Sequence, residues 1–185
     1  MSVDTAGLGP AIRDARRLMN LSRAEIGDLV GMSARMIGMI ETAARRLPKD
    51  VAQNLLPRLD NPWVYMRYGY AACGGVMAPP VLDGPRVDLD RNATRLKVAE
   101  ELTEVLAALA GGRCLINARG PEQLTAEDRR QIEETIHPEI EAITGLMNDV
   151  AVKCMLFRFS PRRVWVGHIR ELESKGYVAR EKSAA

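Results

Sequence analysis

The segment from Leu21 to Pro48, LSRAEIGDLVGMSARMIGMIETAARRLP, leaves little freedom in how it can fold. Ser22 and Glu25 have the spacing of a capping box, in which a hydroxyl and a carboxylate satisfy the free amides that open a helix. Ile26, Leu29 and Val30 give that helix an apolar face. Gly31 follows at the point where the chain must turn in a left-handed conformation. Ser33 can then cap a second helix, which buries Met36 or Ile37 together with Ile40. Two helices of about eight residues joined by a glycine-containing turn are the arithmetic of a helix-turn-helix.

Composition sets the rest of the frame. A chain of 185 residues with 46% hydrophobic and 27% charged side chains can bury a core, and its length allows one or two domains. Aromatic content of 4% beside nine Met disfavours a β-sandwich and predicts an all-α protein. The 26 Lys and Arg against 24 Asp and Glu exclude a histone-like coat of nucleic acid, while leaving room for one local basic face. Three cysteines, Cys73, Cys114 and Cys154, cannot all pair within one chain, and no disulfide framework is written. With only His137 and His168 as imidazoles, no metal-ligand spacing is written, so three buried or half-buried thiols and no cofactor are expected. Residues 1–9 lack a basic stretch leading into an apolar one, and no run is apolar enough to span a bilayer; a cytoplasmic protein is expected.

Three segments separate by punctuation. Residues 1–60 are densely helical, with breaks at Asn20, Gly31 and Leu47-Pro48. Residues 61–91 hold eight Pro and Gly together with Trp63, Tyr65, Tyr68 and Tyr70, half of the chain's aromatics; a helix from Trp63 to Ala72 and then an irregular packed connector are expected. Residues 92–180 return to helices. Leu96, Ala99, Leu102, Val105, Leu106 and Leu109 form one apolar face, ended by Gly111-Gly112. Thr125 and Asp128 make a capping-box-like start to a long helix whose Ile132, Ile136, Ile140, Ile143, Met147, Val150 and Cys154 lie on one stripe, with Pro138 expected to bend or split it. Ser160-Pro161 opens a last helix that buries Val164, Trp165, His168, Ile169 and Leu172 and closes at Gly176, with Tyr177 and Val178 packing back.

The first segment resembles the Xre-type family of phage-repressor and Cro-like regulators. Ile12-Arg13 and Arg16 match the family's first helix. Leu21, Ser22, Glu25, Ile26, Leu29, Gly31, Met32, Ser33, Ile37, Ile40, Glu41 and Pro48 then fall on its pattern without insertion or deletion, over about fifty residues. The resemblance implies a five-helix, lambda-repressor-like helix-turn-helix domain that reads double-stranded DNA with the helix over residues 33–42. Carried onto this sequence, the candidate DNA-binding residues are Ser22, Arg23, Ser33, Ala34, Arg35, Met36, Gly38, Met39, Thr42, Arg45 and Arg46. The departures are Arg23 where the family commonly has a DNA-contacting Gln, Gly27 for Ala, and Ala43 for the Gly after the reading helix. More loosely, Gly74-Gly75, Pro79-Pro80, Leu82-Asp83-Gly84 and Gly176-Tyr177-Val178 are similar to small phage or mobile-element regulators of Gram-positive bacteria.

Within the reading helix only Arg35 can make the bidentate contact to guanine that dominates major-groove recognition. Thr42 is a weaker donor and acceptor, and Ala34, Met36 and Met39 can touch thymine methyls. The same Met-rich face also suits a protein partner, as in an antitoxin or anti-repressor that keeps the fold without binding duplex. Residues 1–60 carry nine cationic and seven acidic side chains, a net of +2, with the arginines flanking the motif. Residues 121–149 carry eight acids against two basic residues, so that stretch is expected to pair helices, within the chain or across the two-fold axis of a homodimer, and not to touch DNA. Residues 160–182 are basic, six to three, and either contact DNA or face water, the second being favoured. A ligand-gated regulator with the Trp63–Tyr70 aromatics lining a pocket is a further alternative.

An enzyme is not expected. His137 and His168 read as surface or packing residues, Gly111-Gly112-Arg113 lacks the spacing of a phosphate loop, and Asp88 and Asp90 lack the further ligands of a calcium loop.

Overall fold

The computed structural model describes residues 7–87, 90–111 and 120–179. Cys114, Asp88, Gly112, Arg113 and the tail from Arg180 lie outside them. The chain is all-α, with no strand among the described residues. In order the helices are α1 (Leu8–Leu18), α2 (Arg23–Val30), α3 (Ala34–Glu41), α4 (Lys49–Leu59), α5 (Pro62–Ala72), α6 (Arg91–Gly111), α7 (Ala126–Phe157) and α8 (Pro161–Ser174). A short 3-10 turn, Pro121–Gln123, precedes α7.

The described residues divide into two compact units, 7–78 with 154–179, and those from 79 to 153. In the first unit α1 packs on α3, α4 and α5, α2 packs on α3 and α4, and α4 packs on α5. Their shared core is Leu8, Ile12, Ala15, Ile26, Met32, Ile37, Ile40, Val51, Ala52, Leu55, Leu56, Leu59 and Val64, with Tyr65 and Tyr68 set against it. Residues 154–179 belong to this unit because α8 begins on it: Asp60 Oδ1 accepts the Arg162 amide at 3.1 Å, Pro161 is buried, and Asn61 Nδ2 reaches Met155 Sδ at 3.5 Å.

Local signals set the helix ends. Ser22 and Glu25 close a reciprocal capping box, Glu25 N donating to Ser22 Oγ at 3.2 Å and Ser22 N to Glu25 Oε2 at 2.7 Å. Ser33 Oγ accepts Met36 N, Asn61 Oδ1 accepts Trp63 N and Val64 N, and Ser160 Oγ accepts Arg163 N. Gly31 takes the left-handed conformation with φ 70°. Ala43 takes it too, at φ 58°, in the turn after α3, where a Cβ crowds the following carbonyl. Ala43→Gly is therefore expected to stabilise the protein by ~0.5–1 kcal/mol, read as a rise in denaturation midpoint at constant m-value.

The second unit is organised on a different face from the one that periodicity suggests. The large apolar residues of α6 point to solvent: Leu96 is 71% exposed and Leu106 67%, with Leu102 and Leu109 also exposed. The α7 isoleucine stripe is likewise exposed at Ile136, Ile140 (58%) and Ile143. Buried instead are Thr94, Val98 and Glu101 on α6, and Thr135, Ala142, Gly145, Asn148, Asp149 and Val152 on α7. The two helices approach closely in a seam at Gly145: a Cβ there would strike the Glu101 carboxylate and come within 3.3 Å of Val98 Cγ2. Desolvation in this seam raises the Glu101 carboxyl above its ordinary range. Asn148 fixes the connector, accepting Leu82 N at 3.0 Å and donating to the Pro80 carbonyl at 3.0 Å.

Of the two outcomes expected at Pro138, a bend or a split, the split does not occur: α7 is continuous over 32 residues. On α8, Val164, Trp165, His168 and Ile169 are exposed and Leu172 only half-buried, because the described contacts of that helix lie at its first turn. Tyr177 (77% exposed) and Val178 do not pack back. Leu29 is exposed although Ile26 beside it is fully buried, and Cys73 is exposed, whereas Cys154 is buried with its thiol pKa pushed up by desolvation.

Candidate nucleic-acid interface

The candidate interface is built on α2, α3 and the turn after α3, and it rests on one buried carboxylate. Glu41, at the last position of α3, is 1% exposed. Arg16 of α1 donates to it through Nε at 2.6 Å and through its second terminal nitrogen at 3.2 Å, and Arg23 at the start of α2 donates through Nε at 2.7 Å. Arg16 also donates to the Leu21 carbonyl at 2.6 Å, which ties the loop before α2 into the same network. Burial alone would push the Glu41 carboxyl up, but the hydrogen bonds from Arg16 and Arg23 outweigh it and hold the group below the usual carboxylate range. The hydrogen bond to Glu41 correspondingly raises the Arg16 guanidinium. Three helices are thus locked in mutual position beneath the outer surface of α3.

Two close approaches complete the lock. A Cβ on Gly27 would meet the Met32 carbonyl oxygen, so α2 and the chain entering α3 fit only with glycine there. A Cβ on Gly9 would strike the Ile40 carbonyl and lie 2.8 Å from the Glu41 carbonyl, so α1 sits directly on the end of α3.

The candidate residues fall into three groups on this frame. Ser22 and Ser33 spend their oxygens as helix caps, and Thr42 turns its hydroxyl back onto the Gly38 carbonyl at 3.0 Å. Arg23 is held by Glu41 and lies over Gly38, where a Cβ would sit 3.5 Å from its guanidinium carbon. Met36 is half-buried against the core. Ala34, Arg35, Met39, Arg45 and Arg46 are exposed, and none of the ion pairs among the described residues uses Arg35, Arg45 or Arg46. What α3 and its following turn present is therefore one arginine on the helix, two in the turn, and the exposed apolar side chains of Ala34 and Met39. Arg23 is among the DNA-contact candidates of the sequence, whereas Arg16 and Glu41 stand there as separate matches to the family pattern and not as a pair. Their spacing of 25 residues hides the partnership.

The described residues contain no group of His, Cys, Asp and Glu side chains able to hold a metal ion, and no helix among them is long and apolar enough to cross a membrane. No family model, curated protein or solved structure matches the chain.

Proposed function

We propose that the chain is a non-catalytic, sequence-specific double-stranded DNA-binding regulator of transcription of the Xre type, reading the major groove with α3 and acting in the cytoplasm. The observation that carries this reading is Arg35. It is exposed, unpaired among the described residues, and mounted on a short helix that the Arg16–Glu41–Arg23 network and a capped N-terminus hold rigid. A guanidinium so placed can form the two parallel hydrogen bonds that pick out guanine. Arg45 and Arg46 in the following turn suit the flanking phosphates, and the free terminal nitrogens of Arg23 can add a third phosphate contact while its Nε stays on Glu41.

Anisotropy titration against a randomised duplex library tests it. Arg35→Ala should cost ~1–3 kcal/mol at a single base position and leave the other positions unchanged, whereas Arg45→Ala should weaken all sequences alike and reduce the salt dependence by about one ion. The competing reading, a protein-interaction module, draws on Met39 and Ala34 beside Arg35 and predicts no preferred duplex at any salt concentration.

The same reading includes a homodimer formed through α6 and α7, which would match two half-sites. Its support is the set of exposed Leu and Ile side chains that recur at helical spacing on both helices. The double substitution Leu106→Lys and Ile140→Lys should halve the mass in solution by light scattering without lowering the melting midpoint of the first unit. A wild-type monomer, or a doubly substituted dimer, contradicts the assignment.

A further inference from the structure

An open surface depression of about 280 Å³ lies where the end of α4 meets α8, its α8 lining exposed and Asp60 and Ser160 half-buried. Its apolar lining is Pro57 and Val166, and its polar lining is Asp60, Ser160, Arg162, Arg163 and Arg170. Arg162, Val166 and Arg170 recur at four-residue intervals, so successive turns of α8 face the same space. Three guanidiniums against one carboxylate leave the lining with a net charge of +2. The side chains of these arginines take part in none of the ion pairs among the described residues.

The first-turn amides of α8 are already satisfied from within the chain. Asp60 Oδ1 accepts Arg162 N at 3.1 Å, and Ser160 Oγ accepts Arg163 N at 3.0 Å. What the depression offers a ligand is therefore its arginine side chains and not the end of a helix. Guanidinium forks match the tetrahedral oxygens of phosphate, and two net positive charges balance a dianion. The volume suits a phosphate group with a few attached atoms and is small for an intact nucleotide.

We propose that this depression is a phosphate-binding site, with Arg162, Arg163 and Arg170 as its ligands. The phosphate comes either from a free phosphate ester acting as an effector or from the backbone of a bound nucleic acid. The site stands independently of the assignment of α3 as a DNA-reading helix, since none of its residues belongs to that face.

The test uses the full chain, inorganic phosphate and pyrophosphate as probes, and chloride at matched ionic strength as the reference. Phosphate or pyrophosphate should raise the melting midpoint of the wild type. Calorimetric affinity should fall at least about tenfold in the Arg163→Ala, Arg170→Ala double variant, with Arg163→Lys, Arg170→Lys in between, since lysine keeps the charge and loses the fork. Arg35→Ala should leave phosphate binding untouched. Unliganded melting curves of each variant separate lost binding from lost folding.

Duplex titration of the same variants distinguishes the two sources. Unchanged duplex affinity alongside lost phosphate binding identifies a free ester, and a parallel loss of duplex affinity identifies the nucleic-acid backbone. Equal stabilisation of wild type and alanine variant by phosphate overturns the proposal. So does an absence of phosphate binding in the wild type together with unchanged duplex affinity in the double variant.

Discussion

Glu41→Ala should destabilise the protein by about 3–5 kcal/mol, because it leaves Arg16, itself nearly buried, without the carboxylate that makes its charge tolerable there. The change also frees Arg23 from the surface of Gly38 and releases the loop that Arg16 holds through the Leu21 carbonyl. Chemical denaturation reads the loss as a lower midpoint at constant m-value. A pH series gives an independent check. The Glu41 carboxyl sits below its unfolded range, so its contribution is fully present above the unfolded pKa and is lost as pH falls through the folded one. Wild type should therefore lose stability on acidification below the ordinary glutamate range, and Glu41→Gln should lack that part of the acid limb. An Ala variant as stable as wild type would mean that the network contributes nothing to the placement of α3.

The second large effect belongs to glycine. Gly9→Ala should cost about 3 kcal/mol, because the new Cβ meets backbone atoms of Ile40 and Glu41 that cannot rotate aside, and α1 must back away from α3. Gly27→Ala should cost a similar amount through the Met32 carbonyl. The matched control is Gly69→Ala in α5, where nothing lies within 4 Å of the added Cβ and the backbone needs no special conformation. There the substitution should stabilise slightly, by up to ~1 kcal/mol, by removing a helix-interior glycine. Equal effects at Gly9 and Gly69 would refute the close approach of α1 to α3.

These effects show which parts of the fold were legible in the amino-acid sequence. The caps at Ser22, Ser33, Thr125 and Ser160 were readable because capping is local, a hydroxyl reaching an amide three residues away. The all-α character followed from periodicity and composition for the same reason. The seam of the second unit was not readable. Periodicity identifies an apolar face but does not say whether a partner covers it, and on α6 and α7 the covered faces are the small and polar ones around Gly145. The exposed face of α8 is a second case of the same rule.

In the candidate interface the individual residues were visible and their engagement was not. Arg23 looked like a free cation, yet it bonds a carboxylate 18 positions away. Gly27 stood out as a departure from the resembled pattern, and the Met32 carbonyl, which a Cβ there would strike, supplies the reason. Ala43 stood out as a departure from the resembled pattern, and its positive φ supplies the physical reason that a glycine suits that turn. The arginine-lined depression joins Asp60 to residues a hundred positions later, a proximity that no local pattern carries.

The most direct test of the DNA-reading account is a paired anisotropy titration of wild type and Arg35→Ala against a duplex selected from the randomised library, each at low and at physiological salt. The account predicts a preferred duplex for wild type, affinity that falls steeply with salt, and selective loss of discrimination at one guanine in the variant while the salt dependence persists. Wild-type affinity indifferent to both sequence and salt would contradict it.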